Sequence, residues 1–291
     1  MKKLVLSTAS WMARVLPNPV KQRIYDIDPL ARLIRNALNR AAPTGLTEIA
    51  IAAGGAEGMK MRLDLQLEKD YWLGTYESDL QASINDLIEP GWTAFDVGAN
   101  IGFVSLLFAK KLERSGKIFA FEALPINLDR LQTHVEINAL DSRIDVIPAA
   151  VTASSKPVQF LIGPSGAMGK AEGSAGRTVE HREAVDVPGI CLDDFVYRDG
   201  NPIPQVIKMD IEGGEVLALE GMKRLLIEAH PLILLELHGP DAARVSWEIL
   251  SEAGYQIFRM QQGYPTVSTF DELDWKAYIV AKYQVQDHGQ S

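Results

Sequence analysis

"TAFDVGANIGFVSLLFAKKL", residues 93–112, decides the fold. An apolar run ends in an acid, Asp96. The stretch Gly98-Ala99-Asn100-Ile101-Gly102 then turns, and an amphipathic run follows. A strand over 93–99, a tight turn and a helix over 101–114, stopped near Gly116, are the expectation. Glycine at 98 and 102 frees the backbone to turn sharply and to approach a ligand without a Cβ in the way.

Downstream the same rhythm repeats. "KIFAFEA" reads as a second strand, with a helix over about 125–139, and "RIDVIPAAV" as a third strand. "PQVIKMDIEG" with a helix at about 214–229, and "PLILLELHG" with a helix at about 241–253, continue it. "YQIFRM" and "WKAYIVAKY" close the chain as an antiparallel pair. Near-continuous apolar strands are what a parallel sheet covered on both faces requires. The expected architecture is α/β: a doubly wound, mostly parallel sheet over residues 76–291. Residues 1–75 form an N-terminal helical and β-hairpin extension. Within it, Leu30, Leu33, Ile34 and Leu38 share a helical stripe with Asp28 as N-cap, and 46–67 alternates about a Gly-rich turn. Residues 163–180, rich in Gly, Ala and Ser, read as a long loop and a candidate lid.

The 291 residues carry a net charge of −9 and 47 % hydrophobic residues, which excludes an overall basic footprint for nucleic acid. The single Cys191 allows no internal disulfide and fits a reducing, cytoplasmic setting. The start, with Arg14 inside its apolar stretch, reads as an amphipathic surface helix with at most peripheral membrane contact. No apolar run is long enough to span a bilayer.

Ligands of open α/β sheets bind at the carboxyl ends of the strands, where strand order reverses. The turn at 98–102 lacks the dinucleotide fingerprint, because Asn100 stands where its second glycine would be, and it also lacks the phosphate-loop pattern. Glu122, at the tip of the next strand, is a carboxylate able to accept both hydroxyls of a ribose.

"FDVGANIG", "FAFEALPINLDRLQTHVEINAL", "VIKMDIEGGEVLALEGMKRLL" and "PLILLELHG" resemble, in order and spacing, the blocks of FkbM-type S-adenosylmethionine-dependent methyltransferases. The resemblance covers roughly residues 74–240, from "GTYESD" onward. Two small departures, "FEALP" for the usual Phe-Glu-Pro and "EGGE" for Glu-Gly-Ala-Glu, leave the carboxylates in place. The resemblance implies a Rossmann-like class I fold with a seven-stranded sheet. It places Asp96, Gly98, Ala99, Asn100 and Gly102 on the methionine side of the cofactor and Glu122 with Ala123 at its ribose. Ala149 and Ala150, followed by Val151, fall near the adenine. An Asn-bearing turn flanked by acids suits a phosphate-free, cationic cofactor.

Methyl transfer to an alcohol needs in-line orientation and a base within hydrogen-bond reach. "KMDIEGGE" supplies Lys208, Asp210, Glu212 and Glu215, with Lys208 as the charge that compensates the acids. Glu215 reads as a first-turn acid favoured by the helix dipole. "LLELHG" adds Glu236 and His238 on one side of the fifth strand. His238 or Asp210 is the expected base, beside Glu236 and Lys208; Asp210 also borders the cofactor. His134 and His288 read as incidental. Asp210, Glu236 and His238 could also ligate Mg²⁺, but without a metal-binding signature no metal residue is assigned and Mg²⁺ is not expected to be essential.

The expected activity is O-methylation of a hydroxyl on a small-molecule or carbohydrate-type acceptor, the substrate class being what the resemblance implies. A nicotinamide-dependent oxidoreductase and a non-catalytic binding module are the alternatives, and shaping the acceptor pocket and homodimerisation are the candidate roles for residues 1–75.

Overall fold

The computed structural model describes residues 2–16, 20, 23–24, 27–163, 169–175, 183–273 and 276–284. Helices α1 (Lys2–Val15) and α2 (Asp28–Ala41) precede a hairpin of β1 (Leu46–Ala50) and β2 (Lys60–Asp64), then α3 (Lys69–Leu73) and α4 (Ser78–Leu87). Next come β3 (Thr93–Val97), α5 (Phe103–Lys111), β4 (Lys117–Glu122), α6 (Pro125–Ile137) and β5 (Ile144–Pro148). Five short strands follow: β6 (Ala150–Val151), β7 (Val158–Ile162), β8 (Gly169–Ala171), β9 (Glu183–Val187) and β10 (Gly189–Ile190). The chain continues with β11 (Val206–Met209), α7 (Glu215–Glu220), α8 (Lys223–Glu228), β12 (Leu232–Glu236), α9 (Pro240–Glu252), β13 (Tyr255–Arg259), β14 (Thr266–Val267) and β15 (Tyr278–Tyr283).

The main sheet runs β14-β13-β15-β12-β11-β3-β4-β5. Its five strands from β12 to β5 are parallel, and β15 inserts antiparallel between β12 and β13. This is the doubly wound α/β arrangement expected, with eight strands rather than seven because a two-residue edge strand, β14, joins β13. Strand order reverses between β3 and β11, so the crevice predicted for a ligand opens at Val97 and Met209.

Period-two alternation divides the strand side chains between two apolar layers. Ala94, Ile118, Ala120, Val206 and Leu234 face one, with α4, α5 and Trp72 of α3. Phe95, Val97, Phe119, Phe121, Ile207 and Leu235 face the other, with α7, α8 and α9. In the second layer Phe195 meets Phe95, Phe119 and Phe121 edge-on at 5.3–5.7 Å, a geometry aromatic quadrupoles favour. Sheet strands apolar on both faces are why the sequence pattern was readable.

Three local expectations are corrected. The segment 163–180 is not wholly loop: β8 lies within it and pairs with β7 in a three-stranded sheet β8-β7-β9; residues 164–168 and 176–180 lie outside the described residues. The helix expected over 214–229 breaks into α7 and α8 at Gly221, where a Cβ would lie 2.3 Å from the Thr152 carbonyl oxygen. Asp28 is the first helical residue of α2 and caps nothing, and Leu33 of the predicted stripe is exposed while Leu38 is buried. His288 and Trp275 also lie outside the described residues.

The hairpin docks on α6 through polar joints. His134 Nδ1 lies 2.6 Å from the Ile101 carbonyl oxygen, and the Arg62 backbone N–H donates to its Nε2 at 2.9 Å. Asn138 exchanges two hydrogen bonds with the backbone of Lys60, and Arg130 pairs with Glu68 at 2.7 Å. His134, fully buried, is therefore a structural joint between β2 and the turn after β3.

Candidate active site

The turn after β3 is built by its backbone. Gly98 and Ala99 donate N–H bonds to the Phe121 carbonyl at 3.0 and 2.9 Å. Gly98, Asn100 and Gly102 all have positive φ, at 76°, 51° and 89°. A Cβ at Gly98 would lie 2.0 Å from the Asp210 carbonyl oxygen, so only glycine lets the tips of β3 and β11 close up. The result is a cavity of about 470 Å³ over the strand ends.

Gly98, Ala99, Asn100, Glu122, Ala123, Ala149, Ala150, Lys208, Asp210, Glu236 and His238 all line this cavity. Gly102 shapes the turn without lining it, its missing Cβ making room for Leu131. Asp96 sits beneath the cavity floor, fully buried, and accepts the Ser105 hydroxyl at 2.6 Å. Glu122 Oε2 accepts the Asn100 N–H at 2.8 Å, and its Oε1 accepts that of Leu124 at 2.8 Å. Burial pushes the Glu122 carboxyl up, against the pull of these backbone donors.

Lys208 and Asp96 are cross-strand neighbours on β11 and β3. The ammonium reaches Asp96 at 3.6 Å, Asp210 at 3.7 Å and the Gly98 carbonyl oxygen at 3.2 Å. Burial works against this charge, but Asp210, Asp96, Glu77 and Glu236 outweigh it and hold the lysine above its ordinary range. Burial likewise pushes the Asp96 carboxyl up, opposed by Lys208 and Ser105. With acids on several sides of it, the lysine keeps its proton and serves as the compensating charge that the sequence suggested.

At the other end of the cavity His238 stands among acids. Its Nδ1 is 2.9 Å from Glu215 Oε1; its Nε2 is 3.5 Å from Glu236, 3.6 Å from Asp210 and 3.9 Å from Glu212. Burial opposes charging the ring, but the hydrogen bond to Glu215 and the negative charges of Glu215, Asp210 and Glu236 raise its pKa to about 9. At neutral pH the ring is an imidazolium. Glu236 moves to about 7, first through burial and then through the charge of Asp210, against His238 and Tyr278. Asp210, Glu236 and His238 offer three ligand atoms within 4.8 Å of one another, a spacing that could hold a divalent ion once the imidazole gives up its proton.

Several cavity residues escaped the sequence reading: Tyr71, Tyr76 and Glu77 ahead of the sheet, Phe160 and Ala171 of the small sheet, and Lys276 and Tyr278 beside β15. "GTYESD" was the available signal for Tyr76 and Glu77; Tyr71 lies three residues ahead of it. Glu215 reads from sequence as a first-turn acid favoured by the helix dipole. It does open α7, but it is fully buried and also accepts the N–H groups of Ile211 and Gly213, both at 3.2 Å, besides holding His238.

The model of the methyltransferase FkbM domain matches residues 96–257. The hexuronic acid methyltransferase AglP of Haloferax volcanii is 29 % identical over 180 residues, 61 % of this chain and 69 % of that protein. The methyltransferase sdnD of Sordaria araneosa is 25 % identical over 191 residues, 56 % of this chain and 73 % of that one. Among solved structures, an FkbM methyltransferase from Methylobacillus flagellatus aligns at 18 % identity and a TM-score of 0.44, over 89 % of this chain and 61 % of that one.

Proposed function

The chain belongs to the FkbM methyltransferase family, and on that premise we propose that it moves the methyl group of S-adenosylmethionine to a hydroxyl of a carbohydrate-type or other small acceptor. S-adenosylmethionine-dependent methyl transfer sets aside the nicotinamide alternative and the non-catalytic one. The observation that carries the proposal is one cavity joining the glycine turn to the Asp210–Glu236–His238 cluster.

In this reading the donor lies along Gly98–Gly102, with its ribose on Glu122 and its adenine toward Ala149 and Ala150. The acceptor oxygen sits over the tips of β11 and β12. As it attacks the methyl carbon, the carbon–sulfur bond breaks and S-adenosylhomocysteine leaves. The hydroxyl proton passes to the carboxylates of Asp210 and Glu236. Glu236, with its pKa near 7, can both take and release a proton at neutral pH. His238 enters as an imidazolium that orients the acceptor oxygen, a different role from the base expected of it. Lys208 holds Asp96 and Asp210 in place. No Mg²⁺ is required by this scheme. Residues 1–75 reach the cavity of the 76–291 unit through Tyr71. No helix among the described residues is long and apolar enough to cross a membrane.

The similarity to a hexuronic acid methyltransferase supports a sugar-type acceptor. The test is incubation with labelled S-adenosylmethionine and a panel of sugars, polyols and uronic acids. A methyl product stable to alkali is the expected ether. A product released by alkali would be an ester of a carboxyl group, which would sink the hydroxyl reading and keep the transferase.

A further inference from the structure

Glu77 closes the stretch "GTYE", residues 74–77, and adopts φ 45° and ψ 56° immediately before α4. A glutamate in the left-handed region is strained and persists only where its surroundings impose it. They do so here. Gly74, also left-handed, lies so close to the hairpin that a Cβ would come within 1.9 Å of the Ala53 carbonyl oxygen. Gln81, buried inside α4, donates to the carbonyl oxygens of Tyr76 at 2.5 Å and Gly74 at 3.3 Å, and accepts the Gly55 N–H at 2.8 Å. The loop is pinned on both sides, and its carboxylate is delivered into the cavity.

Aromatic rings accompany it. Tyr71 and Tyr76 have centroids 4.3 Å apart, and both contact Phe103, at 5.1 and 5.6 Å. All three line the cavity, and Phe103 directly follows the glycine turn. Tyr76 packs on Tyr71 and directly precedes Glu77, so the carboxylate stands beside a pair of phenol rings. Electron-rich ring faces beside an acid form a surface for an organic cation. The neighbouring acids are engaged more closely, with Asp96 on Ser105 and Lys208, Glu122 on backbone N–H groups, and Asp210, Glu212 and Glu236 around His238, whereas Glu77 shares only in the field that keeps Lys208 charged.

The methyl donor brings an ammonium on its amino-acid tail and a positive sulfur. We propose that Glu77 binds the ammonium of that tail, with Tyr71 and Tyr76 facing the cationic part of the donor. This rests on the placement of the donor along Gly98–Gly102. It makes the segment ahead of the sheet a donor-binding element and assigns its strained residue a task.

Calorimetry with two uncharged-sulfur ligands tests it: S-adenosylhomocysteine, which keeps the amino-acid tail, and methylthioadenosine, which lacks it. Glu77→Gln should weaken the first by at least about tenfold, the scale of a lost charge-assisted hydrogen bond, and change the second by less than about twofold. Glu77→Gly, free to occupy positive φ, should show the same tail-specific loss with a melting temperature no lower than wild type. Unchanged S-adenosylhomocysteine affinity in Glu77→Gln, against normal wild-type binding, would overturn the assignment of Glu77 alone. Equal losses for both ligands, or losses that follow a lowered melting temperature in both variants, would reduce Glu77 to a structural residue. A wild-type protein that binds neither ligand would bring down the donor placement as well.

Discussion

Glu215 Oε1 lies 2.9 Å from His238 Nδ1, and this contact joins the first turn of α7 to the residues just beyond β12 at the His238 end of the cavity. A buried carboxylate on one ring nitrogen orients the imidazole and favours its protonated form. The second nitrogen is thereby aimed at Glu236 and Asp210.

His238→Ala should lower kcat by about 10²-fold or more, the usual scale of a positioned proton-bearing group, while donor affinity stays within about twofold. Single-turnover kinetics with calorimetry reads both quantities. Normal turnover in the variant would remove His238 from the mechanism.

The rate should follow a bell-shaped pH profile. Activity rises as Glu236 loses its proton through about 7, and falls as His238 loses its own through about 9. Glu236→Gln should abolish the acid limb. A profile with no acid limb in the wild type would contradict the proton-acceptor role of the carboxylates.

Glu122→Ala should weaken S-adenosylhomocysteine binding by roughly 1.5–3 kcal/mol, or about 10- to 150-fold, through loss of charge-assisted bonds to the ribose. Calorimetry measures it directly, and unchanged affinity would move the ribose elsewhere.

Treatment with a chelator such as EDTA, followed by gel filtration, should leave the turnover number unchanged. A rate that collapses and returns with Mg²⁺ would turn the Asp210–Glu236–His238 cluster into a metal centre.

Folding stability should fall as pH drops below the ordinary histidine value, in part through His134. Burial holds its folded pKa below that of the unfolded chain. Its contribution is complete above the unfolded value of about 6.5 and is lost as pH falls from there toward the folded value. His134→Phe should flatten this acid-side slope in thermal melts. It should also lower stability by about 1–3 kcal/mol, because the Arg62 N–H loses its acceptor. An acid-side slope identical to the wild type's would exclude His134 as its source.

Much of the sheet was legible because its strands are apolar on both faces, as Phe95 and Ala94 facing opposite cores illustrate. The run after the glycine turn, read as amphipathic, is instead buried all round from Phe103 to Ala109, because α5 is covered on every side. The strand-tip residues were legible for a related reason. Strand ends converge in a parallel sheet, and Asp210, Glu236 and His238 were bound to meet at one edge. Glu77 was legible only as part of "GTYESD": its place in the cavity comes from a left-handed backbone held by Gln81 and the hairpin, neither of which leaves a local pattern. β8 was not legible, because its three residues depend on pairing with β7 inside a Gly-rich stretch. Glu215 showed its position but not its burial, because burial depends on the approach of β12 to α7.

The Asp96–Lys208 pair constrains how this chain can change over generations. Removing Lys208 leaves Asp96 buried without its cation, at a cost of about 3–5 kcal/mol, whereas exchanging both for apolar residues of similar volume can be nearly neutral for folding. A lineage moving one substitution at a time must cross that deficit with a chain whose total stability is only about 5–15 kcal/mol. The two positions are therefore expected to change together, and the glycine turn above them to depend on both.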